Sequence, residues 1–178
     1  MPDATLLRAA SAGIRRVAAA LVALLGLVGA ADAQSVRLIG DFRDWSAYSA
    51  SEGAGALCFA MSKPTEVTPT PDGYTAAYLY LTNRPGEGIR NEFNLVAGFN
   101  FAPDQPATLS VGGQSFELFT ENDAAWLLDP ALGDALAGAM RAGSTLVVDG
   151  TSDRGIKVTQ VFSLSGATAA SRAIESEC

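Results

Sequence analysis

From residue 36 onward the chain reads as short apolar runs broken by glycine, proline and polar clusters. Alternation with a period of two predicts strands, because successive side chains of a strand point to opposite faces. The first extended candidates are residues 36–39 and 45–50, followed by ALCFAM at 56–61. The stretch SKPTEVTPTPDG at 62–73 carries three prolines among polar residues and predicts an exposed loop that does not ladder. YTAAYLYL at 74–81 alternates cleanly, with Tyr74, Ala76, Tyr78 and Tyr80 on one face and Thr75, Ala77, Leu79 and Leu81 on the other. EFNLVAGFNF at 92–101 does the same through Phe93, Leu95, Ala97 and Phe99, and Gly98 within it suggests a bulge or a close backbone approach.

Between these two runs lies RPGEGIRNEFN, residues 84–94. Pro85, Gly86 and Gly88 are turn residues, so local physics makes it a hairpin connection. A second hairpin is signalled by Gly112-Gly113 between 108–111 and 115–120, where Phe116 and Leu118 share a face and Glu117 and Phe119 point the other way. A third pair, 146–148 and 156–164, flanks DGTSDRG. Two segments change period. Residues 130–141 read as a helix, with Asp129 as N-cap, Pro130 in the first turn, Leu132, Leu136 and Met140 on one stripe, and Gly143 as stop. Residues 167–177 read as a terminal helix with Ser165 as cap and a narrow face of Ala169, Ala170, Ala173 and Ile174. So narrow a face must dock on something larger. The expected fold is mainly β: a single antiparallel domain, sandwich or barrel-like, with two short helices, one at the C-terminus.

The first 33 residues alter the picture of where the protein works. Arg8, Arg15 and Arg16 precede an uncharged apolar run at 17–29, and Ala31-Asp32-Ala33 places small residues where a signal peptidase reads. The run is shorter than the ~20 residues of a spanning helix. A cleaved signal peptide at 1–33 and one mature domain at 34–178 are therefore expected, with no integral span after cleavage and a periplasmic or secreted address. Three of the 12 basic and two of the 19 acidic residues lie in 1–33, so residues 34–178 carry nine basic and 17 acidic residues, a formal charge of −8. Such acidity argues against nucleic acid as a partner. Cys58 and Cys178 are the whole cysteine content, and an oxidising compartment predicts one disulfide between them; two buried thiols or a bond between chains are the alternatives.

Six stretches taken together resemble the invasion-associated locus B family of secreted alphaproteobacterial proteins. They are FRDWSAYS at 42–49, LCFAMSKP at 57–64, RPGEGIRNEF at 84–93, VGGQSFELFTENDAAWL at 111–127, AMRAGSTLVVDGTSDRG at 139–155 and FSLSGATAASRAIESEC at 162–178. The chain departs from the family pattern at Ile156, where a threonine is frequent, and at Ala167, where a bulkier residue is common. The resemblance implies an exported β-rich domain, some members being tied to host-cell entry, and it implies no reaction and no cofactor.

The chemistry available is narrow. With no histidine in 178 residues, Ser-His-Asp and Cys-His catalysis and histidine zinc sites are excluded. An enzyme would have to work through carboxylates, from Glu87, Glu92, Glu117, Glu121 and Asp123, as an envelope hydrolase of glycosidase type. Glu121-Asn122-Asp123 offers oxygen ligands but lacks the spacing of a calcium loop, so no metal is expected. The favoured reading is a non-catalytic binding or accessory protein, without cofactor, for an unknown protein or envelope ligand; a structural envelope accessory is the third reading. Its candidate contact residues are Arg84, Glu87, Arg90, Glu92 and Trp126; Trp45 is an aromatic candidate on the same terms, and both tryptophans are more often core than interface. Arg84 and Arg90 either grip an anion or pair with Glu87 and Glu92 across the turn.

Overall fold

A computed structural model describes residues 35–52 and 55–178. The signal peptide expected at 1–33 lies outside the described residues. The strands are β1 (Arg37–Phe42), β2 (Trp45–Glu52), β3 (Gly55–Ser62), β4 (Glu66–Thr68), β5 (Tyr78–Arg84), β6 (Ile89–Val96), β7 (Ala107–Val111), β8 (Gln114–Glu121), β9 (Ala124–Leu127), β10 (Thr145–Thr151) and β11 (Lys157–Ser163). They form one antiparallel sheet in the order β1-β2-β3-β5-β6-β9-β8-β7-β10-β11-β4. Among the described residues two α-helices accompany it, α1 (Gly133–Ala142) and α2 (Ala167–Glu177).

The mainly β class, the antiparallel pairing and the C-terminal helix are as the sequence predicts. The sheet is continuous and open, with β1 and β4 as its edges. Its flanks still meet at one end. The Asp44 N–H donates to the Ser165 carbonyl at 3.2 Å, and Trp45 Nε1 donates to the Ser163 carbonyl at 2.9 Å. Trp45 is therefore a core residue, 1% exposed. Inward positions of both halves supply one apolar core, including Leu79, Phe93, Leu95, Leu109, Leu118, Leu146 and Phe162. α2 packs against β1, β2, β3 and β5, and α1 against β6.

Several boundaries differ from expectation, each for a local reason. Residues 66–68 do ladder, as the edge strand β4 on β11. Pro64 and Pro69 flank this strand without entering it, and an edge needs donors on one side only. β5 begins at Tyr78, later than the alternation suggests, because Tyr74 closes a turn to Pro71 and Thr75 bonds only to Gly98. Gly98 is the close approach its position implied, since a Cβ there would lie 2.5 Å from the Thr75 carbonyl oxygen. The first helix opens as a 3-10 turn at Pro130–Leu132, with Asp129 Oδ1 accepting from the Ala131 N–H at 3.0 Å. Leu136 and Met140 are buried but Leu132 is 40% exposed, because that first turn winds more tightly than the α period assumes. α2 is capped by Gly166 in the left-handed region, and Ser165 makes no side-chain cap. Its buried face is Ala167, Ala170, Ser171 and Ile174, and Ala169 is exposed.

Candidate recognition groove

The charged hairpin is built as its turn residues dictate. Pro85–Glu87 forms a single 3-10 turn, and Gly88 closes it at φ 70°, where glycine carries no steric penalty. Arg84 stands at the end of β5 and takes two carboxylates. Its Nε donates to Glu87 Oε2 at 3.2 Å, and its Nη2 reaches Glu92 at 2.9 Å. Arg90 behaves differently: it is exposed and makes no ion pair among the described residues. The pairing expected across the turn thus belongs to Arg84 alone.

Beyond the turn, β6 and β9 part company. Their ladder joins Asn94 to Trp126, Leu95 to Ala125 and Val96 to Ala124, then ends. β6 continues back through residues 89–93 paired to β5 only, while β9 stays with β8 through the Leu118 and Leu127 pair. An open groove of about 680 Å³ lies at this fork. Arg90, Asn91 and Glu92 line one side, Phe119, Glu121 and Trp126 the other, and Pro130 and Ala131 form an exposed rim.

Asn91 fixes the closed end of the fork. Its backbone sits at φ 52°, a conformation asparagine tolerates better than most residues. Its N–H donates to Asn83 Oδ1 at 2.9 Å, and its Nδ2 donates to Asp134 Oδ1 at 2.7 Å. The carboxylate of Asp134 needs a donor, which orients the amide. Asn91 Oδ1 is then left buried with no donor among the described residues. The start of α1 presses on the same place: a Cβ on Gly133 would sit 2.9 Å from the Asn91 carbonyl oxygen. Only glycine allows the helix so close to the strand.

The outer face of the sheet beside the groove is aromatic. Trp126 and Phe119 are cross-strand partners with ring centroids 5.1 Å apart and planes 18° from parallel. Phe119 is 42% exposed, although it is a large apolar side chain. On the other side of Asn94, Tyr80 continues the row, and it contacts Phe59 at 6.0 Å and Tyr78 at 6.2 Å. Phe59 in turn stacks on Tyr48 at 5.2 Å. Burial raises the pKa of Tyr80, and the neighbouring Tyr78 raises it further. Burial also raises that of Tyr74, against hydrogen bonds to Gln160 and Ala77.

The model of the family described as Invasion associated locus B (IalB) protein matches residues 45–175. The chain belongs to the IalB family. No curated protein and no solved structure matches it. The IalB-matched span contains the whole charged hairpin, the groove and Cys58, and Cys178 lies just beyond it.

Of the candidate contact residues of this IalB chain, Arg90, Glu92 and Trp126 line the groove. Arg84 and Glu87 stand behind them, Arg84 orienting Glu92. Of the candidate carboxylates, Glu92 and Glu121 reach the groove, Glu117 is exposed on β8, and Asp123 lines a separate cavity with Asp72 and Asp153. Asn122, at φ 54°, makes Glu121-Asn122-Asp123 the tight turn between β8 and β9. Phe119 and Asn91 are among the groove residues that escaped sequence reasoning as site residues. Phe119 carried a signal, an aromatic side chain on the polar phase of an alternating strand. Asn91 carried none.

The cysteines are joined as expected. Cys58 and Cys178 form a disulfide with Cα atoms 5.9 Å apart, across 120 positions of sequence. Cys58 is fully buried in β3, and the bond pins the C-terminal end of α2 to that strand. No helix of the described residues is long and apolar enough to cross a membrane.

Proposed function

We propose that this IalB-family chain is an exported, non-catalytic binding module that recognises its partner through the fork between β6 and β9. The observation that carries the reading is the stacked pair of Phe119 and Trp126 standing half-exposed on the groove wall. Removing such a pair from water on binding is favourable, and aromatic anchors beside arginine are typical of binding hot spots. The disulfide supports an oxidising compartment outside the cytoplasm. Residues 1–33 then serve as the export signal and are removed before Gln34. The family description supports host-cell contact as a setting in which to look for the partner.

A carboxylate hydrolase is the second reading, favoured by Glu92 and Glu121 lining one groove. It is the weaker one because Glu92 is held by Arg84 at 2.9 Å, which engages the carboxylate that would have to act as acid, base or nucleophile. Site-specific photo-crosslinking tests the binding reading. A crosslinker placed at Phe119 is expected to trap a discrete adduct in the exporting cell or on contact with host cells. The same crosslinker at the exposed Ile156 serves as control. Adducts of equal yield at both positions, or none at Phe119, would refute the groove as the recognition surface.

A further inference from the structure

We propose that the occupant of the groove is a neutral oligosaccharide, taken from the glycan of the envelope into which the protein is exported. The proposal rests on the reading of the fork as a recognition surface and adds the chemistry of the ligand.

The charge balance of the groove comes first. Arg84 is occupied by Glu87 and Glu92. The charges left without an ion pair among the described residues of the groove are Arg90 and Glu121, one of each sign. With Glu92 counted, the charges that line the groove are one positive and two negative, both signs side by side, so no cluster of like charge is there to select a strongly charged ligand. The groove presents a donor fork on one wall and a carboxylate acceptor on the other. Hydroxyl groups both donate and accept, so one polyhydroxylated ligand meets both walls.

The aromatic wall sets the second requirement. The stacked pair of Trp126 and Phe119 offers a flat apolar surface with an electron-rich face. The C–H face of a pyranose ring is flat, apolar and weakly positive, and it covers such a surface while its hydroxyls stay at the ring edge. Asn91 supplies a third. It is 9% exposed, it lines the groove, and its Oδ1 has no donor among the described residues. A ligand O–H that reaches this oxygen would supply the donor it lacks. The volume of about 680 Å³ falls within the ~300–1,000 Å³ usual for small-molecule sites.

An extended peptide is the main competitor, because β6 has no second strand partner over residues 89–93. Strand addition needs main-chain groups free along that edge. Gly133 already abuts the carbonyl groups of Arg90 and Asn91, a Cβ there lying 2.9 Å from one and 3.6 Å from the other. The edge is closed where a peptide would pair.

The test uses the mature chain and two uncharged probes, cellotriose and N,N′,N″-triacetylchitotriose, with a sulfated heparin tetrasaccharide as the charged comparator. Trp45 is buried and Trp126 lines the groove, so a saturable change in tryptophan fluorescence reports groove occupancy. Saturable binding of a neutral probe is expected, weakened about tenfold or more in Phe119→Ala and several-fold in Arg90→Ala, both exposed positions. The protein is also expected to sediment with purified sacculi and to be released by the same soluble probe. No saturable signal with either neutral probe up to ~10 mM overturns the proposal. So does tighter binding of the heparin tetrasaccharide, or retention by immobilised mammalian glycans with none by sacculi. A protein adduct from Phe119 without sugar binding sinks the oligosaccharide and leaves the recognition reading standing. Absence of both sinks both.

Discussion

Removing the disulfide separates the contribution of the covalent link from that of packing. Alanine is the right replacement at both positions, because Cys58 is fully buried and a serine there would add an unpaired hydroxyl to the core. The bond closes a loop across 120 positions. In the chain-entropy model a loop of that length is worth about 5 kcal/mol, and observed losses in small exported domains run at ~2–5 kcal/mol. For a urea slope of ~1.5–2 kcal/mol/M, the midpoint of Cys58→Ala/Cys178→Ala should fall by about 1–3 M. The loss should not be uniform along the chain. α2 is held by Ala167, Ala170 and Ile174 on a narrow face, with Arg37 pairing to Glu177 near its end. A helix of 11 residues is marginal without such docking. Arg172 is exposed in α2, so tryptic cleavage after it reports local opening of this helix. Cleavage after Arg172 should precede loss of the near-ultraviolet signal of the sheet in the alanine pair and not in the parent. An unchanged urea midpoint, together with Arg172 as resistant as before, would refute the reasoning.

Arg84→Ala breaks both ion pairs of the hairpin, yet it should cost no more than ~1 kcal/mol because these groups are partly solvated, and Arg90→Ala should stay within ~0.5 kcal/mol by urea titration. Tyr74 and Tyr80 have raised folded pKa values, so their contribution is complete below the ordinary phenol value near 10 and is lost as pH rises through the raised values. The urea midpoint should thus be insensitive to these phenols up to about pH 9.5, and its fall above pH ~10 should be shallower in Tyr74→Phe/Tyr80→Phe. Intact mass of the exported protein should correspond to a chain beginning at Gln34; a mass that retains residues 1–33 would remove the export reading.

What the sequence made legible was the local geometry. Residues 167–177 are helical to the residue, and Gly112-Gly113 makes the hairpin it signals. The β5–β6 turn follows from Pro85, Gly86 and Gly88 without reference to anything distant. Alternation, however, reports an extended backbone and not a partner. Residues 74–77 alternate as well as 78–81 do, yet Thr75 bonds only to Gly98, so β5 starts late. The same limit hid the groove. Trp126 and Arg90 are far apart in sequence, and nothing local says that β6 and β9 pair over three positions and then diverge. Asn91 was invisible for a related reason, because its role depends on α1 arriving with Gly133 and Asp134 from more than 40 positions away.

Carbene footprinting reads recognition at the fork between β6 and β9 residue by residue. Labelling of each residue is compared between the purified mature chain and the same chain in intact exporting cells. Protection in the cell is expected at Phe119, Trp126, Arg90 and the rim at Pro130 and Ala131 alone, with Ile156 and Val36 labelled equally in both samples. Equal labelling of Phe119 and Trp126 in the two samples, or protection confined to the β1 edge around Val36 and Leu38, would contradict it.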